Sequence, residues 1–101
     1  MMDVVPKKSE SCPSVSIVIV NFNGRELLRQ CLLTLLDTDY PNYEVVVVDN
    51  GSTDGTLAEM DTSFGSDSRI TFVKNPENVG HAEGCNIGTR MTTGRYIEYT
   101  D

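Results

Sequence analysis

Glu44-Val45-Val46-Val47-Val48-Asp49-Asn50-Gly51-Ser52-Thr53-Asp54-Gly55-Thr56 is an apolar run that ends in a carboxylate, a glycine turn and a hydroxyl-rich segment. Successive valines without alternation are the pattern of a strand buried on both faces, as in a parallel sheet. The pattern predicts a strand over Glu44–Val48. It also predicts a short helix near Asp54–Asp61, capped by Ser52 or Thr53, with Leu57 and Met60 turned inward. A buried strand that delivers an acid and a glycine turn to a helix start is how α/β proteins build ligand sites.

Upstream, Val15-Ser16-Ile17-Val18-Ile19-Val20 is a second β-branched run, broken by Asn21-Phe22-Asn23-Gly24. Leu28, Cys31, Leu32 and Leu35 then recur at helical spacing, which predicts an amphipathic helix from Arg25 to about Asp37. Pro41 disfavours helix in the residue before it and marks the exit. Downstream, Thr62–Ser68 reads as a loop, Ile70–Val73 as a short strand and Lys74–Gly80 as a turn-rich loop. A helix over His81–Thr92 is weakened by Gly84, Gly88 and several threonines; Gly94 ends it, and Arg95–Thr100 reads as a last strand. Residues Met1–Pro13 are polar and aperiodic and read as a flexible tail.

The alternation predicts an α/β fold: three layers, a mostly parallel sheet and helices on both faces, Rossmann-like. If the last strand returns beside the first, the strand order is 3-2-1-4. A topological switch point then falls between strands one and four, with Asn21–Gly24, Asp49–Ser52 and Asp101 at the converging strand ends.

The 101 residues suffice for one domain, and a 39% apolar, 23% charged composition is ordinary for a globular one. A formal charge of −7 with only 8 Lys and Arg excludes a nucleic-acid backbone as partner. An acidic protein that takes an anionic ligand needs a divalent metal between the two. No apolar run approaches the roughly 18–20 residues that span a bilayer, and the N-terminus lacks the apolar core of a signal peptide. Cys12, Cys31 and Cys85 form no Cys-x-x-Cys pair, which fits a reducing cytosol better than a disulfide framework or a zinc site. Cys31 and Cys85 fall in predicted helices and read as small core residues.

The polar strand tips each carry two readings. Asp49 can accept from a ribose hydroxyl or a pyrimidine N–H, or from the backbone N–H groups of Gly51 and Ser52 in an Asx turn; both stay open. Asn50 and Asp54 read as turn and helix-start residues. The amides of Asn21 and Asn23 suit a base edge or ribose, but by themselves they make an Asn/Gly turn with Asn23 as helix cap. The segment Gly80-His81-Ala82-Glu83-Gly84-Cys85-Asn86-Ile87-Gly88 places glycines where each costs about 1 kcal/mol relative to alanine. Either a ligand comes close to backbone there, with a helix N-terminus favouring phosphate, or the helix packs tightly on the sheet. His81 by itself reads as a surface histidine. Asp101 by itself is a weak metal signal.

Taken together, Val15–Asn23, Val47–Thr56, Asn78-x-Gly80-x-Ala82-x3-Asn86-x-Gly88 and Gly94-Arg95-Tyr96-Ile97 resemble the family-two glycosyltransferases over about residues 14–101. The resemblance implies a GT-A type fold and inverting transfer of a sugar from a nucleotide-diphospho-sugar to a saccharide, lipid-linked or other hydroxyl acceptor, as in polysaccharide biosynthesis. It implies that Asn21, Asn23, Asp49, Asn50, Gly51 and Ser52 hold the nucleoside. Gly80, His81, Ala82 and Asn86 would lie against the diphosphate and donor sugar. A divalent metal, Mg2+ or Mn2+, would sit at Asp101, the first position of an Asp-x-Asp-type motif. The implied location is cytoplasmic, including the inner face of the membrane, with room for the full-length protein to associate with the membrane surface.

The chain departs from the family pattern at Asn50, where many relatives have a second Asp, at Glu98 and Thr100 in the last strand, and at His81-Ala82-Glu83. The acceptor-binding half and catalytic base are expected beyond residue 101. The chain is therefore expected to be an amino-terminal donor-binding fragment, truncated at the metal motif and inactive in isolation. The alternative is a non-catalytic nucleotide-binding module. A phospho-receiver domain is disfavoured because strand one ends in Asn21 rather than in paired acids. A Rossmann oxidoreductase lacks its Gly-x-Gly-x-x-Gly fingerprint.

Overall fold

A computed structural model describes residues 14–100. The tail at residues 1–13, Cys12 and Asp101 lie outside them. Elements follow in the order β1 (Val15–Asn21), α1 (Arg25–Leu36), β2 (Tyr43–Asn50), α2 (Thr56–Phe64), β3 (Ile70–Asn75), α3 (His81–Arg90) and β4 (Tyr96–Thr100). The 4 strands form one parallel sheet in the expected order β3-β2-β1-β4.

Alternation along the central strands assigns the layers. Ile19, Val45 and Val47 meet Leu28 and Leu32 of α1, Met60 and Phe64 of α2, and Ile70 in one apolar cluster. The opposite face carries Val18, Val20 and Val48 against α3. Val45, Val46, Val47 and Val48 are all fully buried, as a strand covered on both sides requires. Gly84 and Gly88 answer to this packing. A Cβ on Gly84 would come 2.8 Å from Val20 Cγ1, and one on Gly88 would press on Val18 and reach 3.1 Å from Val48 Cγ2.

Several boundaries shift for physical reasons. Strand β2 continues through Asp49 and Asn50, which pair with Lys74 and Asn75, so β3 also runs on to Asn75 rather than stopping at Val73. Neither Ser52 nor Thr53 caps α2. Asp54 Oδ1 instead accepts from the Thr56 N–H at 3.0 Å and from the Thr56 hydroxyl. Helix α2 extends past Asp61 because Phe64 is buried in the core, which outweighs the poor propensity of Thr62 and Ser63. Helix α3 ends at Arg90 instead of Thr92, and β4 begins at Tyr96 instead of Arg95.

The end of the sheet away from the predicted site is fastened by Glu44. Its Oε2 accepts from Ser16 Oγ at 2.6 Å, Thr93 N at 2.6 Å and Thr93 Oγ1 at 3.1 Å. Burial alone raises the carboxyl pKa, but the hydrogen bonds from Ser16 and Thr93 together hold it below the ordinary glutamate value. A depressed folded pKa stabilises above the unfolded value and is lost as pH falls through the folded one. Glu44→Gln is therefore expected to cost roughly 1 kcal/mol at neutral pH. Urea denaturation should show the gap to wild type closing as pH drops below about 4.3.

Candidate functional site

The carboxyl ends of β1 and β2 lie side by side, with Asn21 in register with Asp49. Asn21 Nδ2 donates to Asp49 Oδ1 at 3.1 Å and to Ser52 Oγ at 3.3 Å. The Ser52 hydroxyl donates to Asp49 Oδ1 at 2.7 Å, and the Ser52 N–H to Asp49 Oδ2 at 3.1 Å. From the other loop, the Asn23 N–H donates to Ser52 Oγ at 2.8 Å while Asn23 Oδ1 accepts from Thr53 N at 2.8 Å. The βα turns after β1 and β2 are thus stitched reciprocally, with Ser52 Oγ at the crossing. Asn23 takes φ 52°, a left-handed conformation that asparagine tolerates better than most residues. Helix α1 starts after Gly24 and has no side-chain cap, because Asn23 is committed to Thr53.

Asp49 is 1% exposed. A carboxylate so enclosed needs its lone pairs satisfied, and Asn21 and Ser52 do this without a basic partner. The backbone bond to Asp49 therefore comes from Ser52 N, three residues on, and not from Gly51 N, two residues on, as an Asx turn requires. Asn50, 2% exposed, is a clamp inside the sheet rather than a turn residue. Its Oδ1 accepts from Asn75 Nδ2 at 3.0 Å and Val79 N at 3.1 Å, and its Nδ2 donates to the Gly80 carbonyl at 3.1 Å. Gly51, at φ +82°, lets the loop after β3 press close, since a Cβ there would meet Glu77 C at 2.8 Å and Asn78 N at 2.9 Å. Gly80, at φ +92°, faces open space.

The fold accordingly joins Asn21, Asn23, Asp49 and Ser52 directly, and ties Gly51 and Gly80 to them through Asn50 and the loop backbone. His81, Ala82 and Asn86 follow on α3, exposed to solvent. Asn86 Nδ2 donates to Glu83 at 3.4 Å, within its own helix. Sequence reasoning passed over Asn75, whose buried amide completes the Asn50 clamp and whose Asn-Pro context reads as a loop. It also passed over a cleft of about 200 Å³ beside the first turn, lined by Asn21, Phe22, Gly24, Leu27, Leu28 and Cys31. Leu27 and Phe22 were the available signal, being large apolar residues that the α1 stripe leaves exposed.

Among the described residues no cluster of three or more His, Cys, Asp or Glu side chains gathers for a metal, and Asp101 lies outside them. Nor is any described helix long and apolar enough to cross a membrane.

The family model for glycosyl transferase family 2 matches residues 16–101. An uncharacterized glycosyltransferase of Haemophilus influenzae is 30% identical over 92 residues, covering 91% of this chain and 28% of its own length. The putative teichuronic acid biosynthesis glycosyltransferase TuaG of Bacillus subtilis is 33% identical over 89 residues, covering 88% of this chain and 35% of its own. Among solved structures, the mannosyltransferase PcManGT of Pyrobaculum calidifontis, in complex with GDP-Man and Mn2+, superposes with a TM-score of 0.79 at 31% identity, over 85% of this chain and 26% of that one. The chain thus spans about a quarter to a third of the length of these relatives.

Proposed function

The chain belongs to glycosyl transferase family 2, and from that membership we propose that it supplies the donor-binding half of an inverting, metal-dependent transferase acting on a nucleotide-diphospho-sugar. The observation that carries the reading is the buried Asn21–Asp49–Ser52 lock at the carboxyl ends of adjacent parallel strands, next to the β1/β4 switch point. A rigid polar turn pair at that place is a pre-organised wall for a nucleoside. The likeness to a mannosyltransferase solved with GDP-Man and Mn2+ supports the donor class.

In this reading the nucleoside lies against Asn21, Asn23 and Ser52, where Asp49 fixes Asn21 and Ser52 from beneath, while Asn50 and Gly51 hold the loop that carries Gly80. The diphosphate and sugar lie along Gly80, His81, Ala82 and Asn86. The backbone N–H groups at the start of α3 there favour negative charge. Transfer forms a bond from the acceptor hydroxyl oxygen to the anomeric carbon while a carboxylate base takes the hydroxyl proton and the bond to the diphosphate breaks, so negative charge grows on the departing group. The positive end of α3 stabilises that charge. A divalent ion at Asp101 supplies further neutralisation of the diphosphate when bound. The acceptor is a saccharide, lipid-linked or other hydroxyl, and the setting is the cytoplasm, including the inner face of the membrane.

Titration with UDP-, GDP- and dTDP-sugars, with and without Mn2+, tests the reading through backbone amide resonances. One nucleotide class is expected to shift Asn23, Ser52, Gly80 and His81 together, and more strongly with Mn2+. Shifts confined to other surfaces, or none with any of the three at millimolar concentration, would defeat it.

A further inference from the structure

Asn-Gly occurs twice in the chain, as Asn23-Gly24 and Asn50-Gly51, once in each of the βα turns that meet at the carboxyl ends of β1 and β2. Such a pair holds a labile amide. A glycine nitrogen carries no flanking side chain to bar its approach to the preceding carboxamide, and the attack is intramolecular. The fold treats the two copies differently. Asn50 is buried and both ends of its amide are engaged, Oδ1 by Asn75 and Val79, Nδ2 by the Gly80 carbonyl. Gly51 behind it is packed against Glu77 and Asn78. Asn23 is exposed, and its Nδ2 has no hydrogen-bond partner among the described residues. Its Oδ1 accepts from the Thr53 N–H at 2.8 Å, a donor that also stabilises negative charge developing on that oxygen. The Gly24 nitrogen precedes the helical ladder, which opens with Leu28 N on the Gly24 carbonyl. Nor can a bulkier neighbour relieve the pair, because a Cβ on Gly24 would come 2.8 Å from Asn21 Oδ1.

We propose that Asn23 is a site of spontaneous covalent modification, deamidating through attack by the Gly24 nitrogen while Asn50 is protected. The bond from Gly24 N to Asn23 Cγ forms as that nitrogen gives its proton to hydroxide. The Cγ–Nδ2 bond breaks, and Nδ2 takes a proton from water and departs as ammonia. Water then opens the resulting ring at either carbonyl, which leaves an aspartyl residue or an isoaspartyl linkage longer by one carbon. Neither step needs an oxidant, a reductant or an enzyme. Attack requires rotation about the Asn23 Cα–C bond, a local motion of an exposed turn, whereas Asn50 must first leave the sheet. Both products place a new carboxylate just before α1. The isoaspartyl form also lengthens the link between β1 and α1, in a turn stitched to Ser52 and Thr53. This selectivity rests on the fold and not on the donor reading.

Incubation of the purified protein at mildly alkaline pH, followed over time by peptide mapping with mass spectrometry, is the test. The same chain unfolded in urea supplies the rates that sequence alone dictates. In the folded protein the peptide containing Asn23 should gain the mass of amide-to-acid conversion and split into aspartyl and isoaspartyl forms. It should do so at least about tenfold faster than the peptide containing Asn50, since a buried clamp opens far less often than an exposed turn. In urea the two peptides should convert at similar rates, both asparagines being followed by glycine. The proposal is overturned if Asn50 converts as fast as Asn23 in the folded protein. It is also overturned if Asn23 keeps its amide there while converting in urea, or if the preference for Asn23 persists undiminished in urea.

Discussion

Gly88→Val is expected to cost about 3 kcal/mol of folding stability, a large part of what so small a domain possesses. Gly88 is where α3 lies closest to the sheet. Even a methyl group there would press on Val18 and come 3.1 Å from Val48 Cγ2. Both valines are buried and stiff at χ1, so neither can swing away as a long side chain would. Helix propensity runs the other way, since alanine is favoured over glycine by about 1 kcal/mol in a helix interior. The decisive variant is therefore Gly88→Ala, where propensity and packing oppose each other. Packing should win, leaving a net loss of about 1–2 kcal/mol in urea denaturation. Val18→Ala should recover much of that loss in a double-mutant cycle, with a coupling of about 1 kcal/mol. A Gly88→Ala protein as stable as wild type would mean that α3 stands further from the sheet than described.

The same glycine shows where sequence reasoning reaches and where it stops. Valine runs and the Leu28–Leu35 stripe have only one economical burial, so the central strands and α1 were legible from them, whereas the 3-2-1-4 order also needed the last strand to return beside the first, as it does. Glycines in a helix have two, a ligand approach or a close neighbour, and only the valines opposite decide it for Gly84 and Gly88. Asp49 and Asn50 look like turn residues because polar side chains at a strand end usually are. Here their backbones remain in the ladder while their side chains tie loops that are distant in sequence, and no local pattern announces such partners. Phe64 is similar, a helix end fixed by core burial instead of by its threonine- and serine-rich approach. Cys31 does fit the core reading, packed against the apolar cluster with its thiol pKa raised by burial. Cys85 instead turns its sulfur to His81 at the solvent boundary.

Asp49→Ala is expected to lower donor affinity by at least about tenfold, equivalent to 1.4 kcal/mol, if the proposed nucleoside wall is correct. The enclosed carboxylate acts through its neighbours, which makes Asp49 a positioning residue. Without it, Asn21 Nδ2 and the Ser52 hydroxyl and N–H lose their common acceptor, and the Asn23 N–H is left bonded to a serine held only by Asn21 Nδ2 at 3.3 Å. Each buried donor left unsatisfied costs about 1–3 kcal/mol, so a stability loss of a few kcal/mol should accompany the affinity loss. Separating the two effects is the purpose of the companion variants. Asp49→Asn keeps one carbonyl oxygen for Asn21 and the Ser52 hydroxyl but sets an NH2 against the Ser52 N–H, and should fall between wild type and alanine in both measurements. Glu44→Gln loses stability at the opposite end of the sheet, yet leaves both the turn pair and the start of α3 intact, and its folded form should bind the sugar nucleotide as wild type does. If Asp49→Ala retains wild-type affinity, the lock serves folding alone and the nucleoside is held elsewhere. If Glu44→Gln loses affinity to the same degree, weaker binding reports general loosening, and the Asn21–Asp49–Ser52 lock has no special claim on the donor.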